Sequence, residues 1–131
     1  MEIEPLVSRA TLTVEPTDSL RDAAVWMMER GVGSAVVVAD GKPVGIITDR
    51  DALRVIARGV DPDVVTVKDC IMKGLKPVLP SLDVRDAARV MREKGFRHLV
   101  VVDDQDRLVG VFSMRDLVVG LLQEQSTTPT P

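Results

Sequence analysis

Two short stretches of the chain place a hydroxyl three residues ahead of a carboxylate. Residues 45–51 read GIITDRD, with Thr48 before Asp51, and residues 110–116 read GVFSMRD, with Ser113 before Asp116. Each closes an apolar, β-branched run, so each marks a strand handing over to a helix. At such a junction the hydroxyl accepts from a backbone N–H and the carboxylate reaches back to another, which is a capping box. A helix N-terminus also offers unpaired N–H groups and partial positive charge, the environment a phosphate requires. Cap and anion-binding site are both open readings of Thr48, Asp51, Ser113 and Asp116, and the two need not compete.

Other reactive side chains are sparse. The chain has one histidine, His98, and one cysteine, Cys70. No spacing offers a nucleophile with its base and orienting group, or a metal-ligating set, so neither enzymatic activity nor a metal site is expected. A lone cysteine excludes an internal disulfide and fits a reducing compartment. Seventeen basic against twenty acidic residues give a formal charge of −3, which supplies no basic field for nucleic acid. The start, MEIEPLVSRA, has no apolar signal region, and no run approaches membrane-spanning length. A cytoplasmic protein without membrane attachment is expected. The 45% hydrophobic fraction among 131 residues is enough for a folded core.

The elements that position the two motifs are written twice. Residues 14–38 laid on 78–102 are identical at 12 of 25 positions, including Pro16/Pro80, RDAA at 21–24 and 85–88, and Gly31/Gly95. One extra residue in DDQDR then aligns Gly45 with Gly110 and Asp51 with Asp116. In each copy a short strand, at Leu12–Val14 or Pro77–Leu79, leads to a helix capped by Ser19 or Asp83 and ended by Gly31 or Gly95. A hairpin follows, SAVVVAD with PVGIIT or HLVVVDD with LVGVFS, and then the motif helix. TVKDCIMK and EIEPLVSR read as further short helical segments. The spacing predicts an α+β fold of two βαββα units, 1–62 and 63–124, with small mixed sheets covered by helices. The polar end, 125–131, reads as a mobile tail.

Two such units, with GIITDRD, GVFSMRD and RHLVVVD in place, resemble a tandem pair of cystathionine β-synthase (CBS) domains, the Bateman module, over residues 3 to 123. The motif of that family is Gly, apolar, any, Ser or Thr, two of any kind, then Asp or Asn, and both copies satisfy it. The resemblance implies two units about a pseudo-twofold and regulatory binding of an adenosine-type ligand in clefts between them: AMP, ADP, ATP or S-adenosylmethionine. It makes Thr48 and Ser113 phosphate contacts, and gives Asp51 and Asp116 the ribose hydroxyls. Ile46 and Val111 would flank adenine, with main chain near Ala10–Leu12 and Gly74–Lys76; ordinary core packing explains both side chains equally well.

Arg97 and His98 replace Gly33 and Ser34 of the first copy. By resemblance they would reach across to the phosphate of the ligand held by Asp51 and make that cleft the better phosphate site. Asp49 beside Thr48 opposes this. A solvated arginine and a packed histidine are the plain alternatives. The family habit is a homodimer through helices, and Trp26, one position off the main apolar stripe of its helix, suits a contact surface. A regulated partner protein is implied without being named by any residue. The alternative function is a ligand-free interaction and dimerisation module.

Overall fold

The computed structural model describes residues 1–71 and 75–127. Met72, Gly74 and the final residues 128–131, which figure in the expectations above, lie outside them. The element order is a 3-10 turn (Glu4–Leu6), β1 (Thr13–Val14), α1 (Leu20–Arg30), β2 (Ser34–Ala39), β3 (Lys42–Thr48), α2 (Asp49–Ala57), α3 (Val67–Cys70), α4 (Val84–Lys94), β4 (His98–Val102), β5 (Leu108–Ser113) and α5 (Met114–Thr127). This is the mixed α+β architecture expected.

Local chemistry sets the element ends. Ser19 Oγ accepts from the Asp22 amide at 3.0 Å, and Asp83 Oδ1 accepts from the Arg85 amide at 2.9 Å, so α1 and α4 start where the sequence caps them. Gly31 and Gly95 stand at φ 63° and 68°, the left-handed turn that stops both helices. In the first hairpin Asp40 and Gly41 carry φ 52° and 77°, the primed two-residue turn that matches strand twist. The second hairpin spends its extra residue on a wider loop. There Asp103 Oδ1 accepts from the amides of Gln105 and Arg107, both at 2.9 Å.

Two elements differ from expectation. The strand expected at Pro77–Leu79 is reduced to a single parallel bridge, Val78 to Val101. Pro77 and Pro80 have no N–H to extend the ladder, so β4 and β5 form a two-stranded sheet while β1, β2 and β3 form a three-stranded one. The expected tail at 125–131 also begins too early. Helix α5 runs on to Thr127, because no proline or glycine follows Gly120 until Pro129.

The packed units do not coincide with the sequence repeats 1–62 and 63–124. One unit is Thr11–Lys76; the other joins Met1–Ala10 to the chain from Pro77 onward. Each repeat has given its leading segment to the other's core. In the Thr48 unit, Val67 and Cys70 of α3 enter an apolar cluster with Leu12, Leu20, Met27 and Ile47, held by Val67 N to Asp18 O at 2.8 Å. In the Ser113 unit, Ile3 and Val7 pack with Val84, Met91, Leu99 and Phe112, and Ser8 pairs with Val111 in both directions at 2.9 and 3.0 Å. Apolar burial rewards either partner equally, so the repeat pattern alone did not decide the exchange.

Candidate functional site

The motif glycines make room for those exchanged segments. A Cβ on Gly110 would stand 2.1 Å from the Ser8 carbonyl oxygen, and one on Gly45 would stand 2.4 Å from Ile71 Cδ1. Close approach therefore accounts for the first motif position in each unit. The strand behind it brings the hydroxyl to the helix start.

Thr48 is the N-cap of α2, with extended φ −123° and ψ 167° and a complete capping box. Its hydroxyl accepts from the Asp51 amide at 3.4 Å, while Asp51 Oδ2 accepts from Thr48 N at 2.8 Å and from its hydroxyl at 3.0 Å. The Ser113 unit repeats this. Asp116 Oδ2 accepts from Ser113 N at 2.8 Å and from its hydroxyl at 2.9 Å, and the hydroxyl accepts from the Asp116 amide at 3.2 Å. Both sequence-derived pairs are thus assembled as caps. To donate to a phosphate, each hydroxyl would turn its proton from the carboxylate to the ligand and keep its acceptor role.

The second carboxylate oxygens differ. Asp51 Oδ1 accepts from Arg54 Nη1 at 2.9 Å. Arg54 was not foreseen as part of the site, although a guanidinium three residues after a carboxylate on one helix is a readable signal. Its counterpart in α5 is Val119, and Asp116 Oδ1 has no hydrogen-bond or ion-pair partner among the described residues.

The strand starts differ too. Met114 N donates to the Arg97 carbonyl at 2.8 Å, and Asp49 N donates to the Gly33 carbonyl at 3.1 Å. His98 pairs with Ser113 across the ladder, as Ser34 pairs with Thr48. Within their own unit, Arg97 and His98 therefore lie beside Ser113. The exposed Arg97 side chain accompanies an uncharged Met114 there. At the other motif Asp49 places a second carboxylate beside Thr48, with its Oδ2 3.5 Å from the position of a Gly33 Cβ.

Ile46 and Val111 occupy equivalent ladder positions opposite Val36 and Val100. Ile47 and Phe112 belong to the core clusters, so strand alternation turns Ile46 and Val111 to the other face. Ile46 is half-buried and Val111 is buried, its backbone paired with Ser8. Cys70 donates to the Thr66 carbonyl at 3.2 Å. Burial, followed by the charges of Asp69 and Asp51, raises its thiol pKa above the ordinary value, which suits a packed group rather than a nucleophile. Trp26 is half-buried: it packs against the core cluster of its own unit and lines a concavity with Leu12, Val14 and Val38. The more exposed apolar residues of α1 are Val25 and Met28. Among the described residues, no helix is long and apolar enough to cross a membrane.

A sequence model described as CBS domain matches residues 3–58 and 63–122. An uncharacterized protein of Methanopyrus kandleri is 33% identical over 120 residues, which is 90% of this chain and 61% of that protein, so the chain spans under two thirds of that relative. The structure of a protein with CBS domains from Burkholderia ambifaria superposes with a TM-score of 0.88 at 28% identity, covering 99% of this chain and 100% of that one. A CBS domain protein of Pyrobaculum aerophilum, complexed with AMP, gives 0.86 at 31% identity, covering 97% and 100%. Two family matches across the repeated βαββα units, with the same hydroxyl–carboxylate geometry at both motif helices, mean that this chain belongs to the CBS domain family as a tandem pair.

Proposed function

We propose that the chain is a regulatory module that binds an adenosine-type ligand, AMP, ADP, ATP or S-adenosylmethionine, and passes its occupancy to a partner protein. The observation that carries this reading is the duplicated cap: a hydroxyl at a helix N-terminus bonded to a carboxylate one turn in, built identically from Thr48/Asp51 and Ser113/Asp116. The helix start suits phosphate. A carboxylate that accepts from both ribose hydroxyls forms charge-assisted bonds worth about 1.5 to 3 kcal/mol each. The AMP complex of the similar Pyrobaculum aerophilum protein supports the adenosine class. Binding and signalling, rather than catalysis, is the role, and a homodimer is its working form.

The opposing reading is a ligand-free interaction module, favoured by the fact that both pairs already satisfy each other as caps. Thermal unfolding with AMP, ATP or S-adenosylmethionine separates the two. A ligand at one hundred times its Kd stabilises the native state by about 2.7 kcal/mol and raises the midpoint by several degrees. Asp51→Ala combined with Asp116→Ala is expected to remove that shift while unfolding stays cooperative. No shift with any of the three, or an undiminished shift in the folded double variant, overturns the assignment.

A further inference from the structure

Resting on the adenosine-binding reading above, we infer that the two motifs are unequal in the opposite sense to that implied by the family: Asp116 is the ready ribose acceptor, and Arg54 holds Asp51 shut. Accepting two ribose hydroxyls requires carboxylate lone pairs that no other donor occupies. At Asp116 the cap uses Oδ2, and Oδ1 has no partner among the described residues. At Asp51 the cap uses Oδ2 in the same way, while Oδ1 is taken by Arg54 Nη1 at 2.9 Å. The Asp51 side chain is 11% exposed, which shields the pair from water on the carboxylate side, whereas Arg54 is 44% exposed and free to swing out. A ligand at Asp51 must displace this guanidinium. At Asp116 the helical position of Arg54 is filled by Val119, and nothing needs to be displaced.

Charge at the helix starts acts in the same direction. Each first turn holds one arginine, Arg50 or Arg115, but that of α2 carries two carboxylates, Asp49 and Asp51, and that of α5 carries one, Asp116, with Arg97 at the adjoining strand start. An anionic ligand meets one more carboxylate at the Thr48 motif. Arg54 also makes the Asp51 motif discriminate. Neutral adenosine offers the displaced guanidinium no new anion, whereas two oxygens of the AMP phosphate can meet its paired, coplanar donors.

The test isolates each motif in the full chain. Asp51→Ala leaves only the Asp116 motif, and Asp116→Ala leaves only the Asp51 motif; Asp116→Asn replaces the latter variant if it unfolds. Calorimetric titration with AMP is expected to show tighter binding in Asp51→Ala than in Asp116→Ala. Adding Arg54→Val, the residue found at the equivalent position, to Asp116→Ala should tighten adenosine about two- to fivefold, the range of an exposed ion pair. It should narrow the preference for AMP over adenosine. Equal or reversed affinities of the single variants, or no gain from Arg54→Val, overturn the inference while leaving the adenosine reading intact. If the unaltered chain binds neither AMP nor adenosine, both fall.

Discussion

Arg54 Nη1 stands 2.9 Å from Asp51 Oδ1, taking one of the two lone-pair sites on the oxygen that the Thr48 cap leaves unused. The pair joins the first and second turns of α2. Truncating Asp51 therefore removes a cap and an ion pair, and truncating Asp116 removes a cap only. Asp116→Ala is expected to cost roughly 1 kcal/mol. Asp51→Ala should cost up to about 1 kcal/mol more, because the remaining Arg54 is solvated and exacts no burial penalty. Urea unfolding without ligand measures both. A larger loss for Asp116→Ala would show that the ion pair does not stabilise α2.

Gly110 and Gly45 share a motif position but face different neighbours. A methyl on Gly110 meets the Ser8 carbonyl oxygen at 2.1 Å and Val7 Cγ1 at 2.8 Å, and backbone cannot rotate away. On Gly45 it meets the end of the Ile71 side chain, which can. Gly110→Ala is predicted to cost about 2 to 3 kcal/mol and Gly45→Ala about 1. Amide exchange should report the difference directly. The Ser8 amide, bonded to the Val111 carbonyl at 2.9 Å, should lose protection in Gly110→Ala.

These glycines show what the sequence could and could not reveal. Both hairpins, the caps at Ser19 and Asp83 and the stops at Gly31 and Gly95 follow from local chemistry, which residue types express directly. The hydroxyl–carboxylate geometry at Thr48/Asp51 and Ser113/Asp116 was legible for the same reason. The exchange of EIEPLVSR and TVKDCIMK between repeats was not, because either apolar segment fits either core by pattern alone. Trp26, just off the apolar stripe, also packs against its own core, a contact that the stripe alone did not indicate. Arg54 was legible in principle, because a guanidinium three residues after a carboxylate shares its helix face, but neither the family motif, which ends at Asp51, nor the repeat, which has Val119 there, marks it.

The second hairpin loop carries a pH prediction. Asp103 Oδ1 accepts from the Arg107 and Gln105 amides, and Oδ2 accepts from Arg107 Nε at 2.9 Å. The Arg107 amide bond is the largest cause, with Gln105 and the guanidinium adding to it, of a carboxyl pKa lowered from 3.8. The unfolded chain then binds more protons in this range. The contribution is present in full above pH 3.8 and is lost as pH falls through the lower folded value. Asp103→Asn should flatten the fall of the unfolding midpoint below pH 4 and leave the slope between pH 6 and 8 unchanged. An unchanged acid limb would remove Asp103 as a contributor.

Each unit leaves large apolar helix residues outward. In the Thr48 unit Met28 on α1 is 83% exposed and Leu53 and Ile56 on α2 are 65% and 59% exposed; in the Ser113 unit Leu122 on α5 is 60% exposed. Burying such residues against a second copy is the driving force that the proposed homodimer would draw on. Sedimentation at micromolar concentration is expected to give twice 14.3 kDa. Leu53→Glu combined with Leu122→Glu should return the chain to a monomer with its melting still cooperative. A monomer in the unaltered chain, with and without AMP, would rule the dimer out.

Arg97 is the residue at which phosphate selectivity should be read. It is exposed, its carbonyl is held by Met114 N at 2.8 Å, and it stands where the other repeat has Gly33. The backbone anchor fixes the root of the side chain beside a helix start, and the guanidinium is exposed to solvent. Guanidinium stays charged throughout the physiological range and meets phosphate through paired donors. Loss of one charge-assisted bond of about 1.4 kcal/mol is a tenfold loss of affinity. Arg97→Ala should therefore weaken AMP about tenfold and change adenosine less than twofold, with the melting temperature of the ligand-free protein unmoved because the removed side chain is solvated. Arg97→Lys should recover part of the AMP affinity, since an ammonium keeps the charge and forfeits the planar pair. Equal losses for AMP and adenosine would place Arg97 outside phosphate recognition and make its effect a structural one.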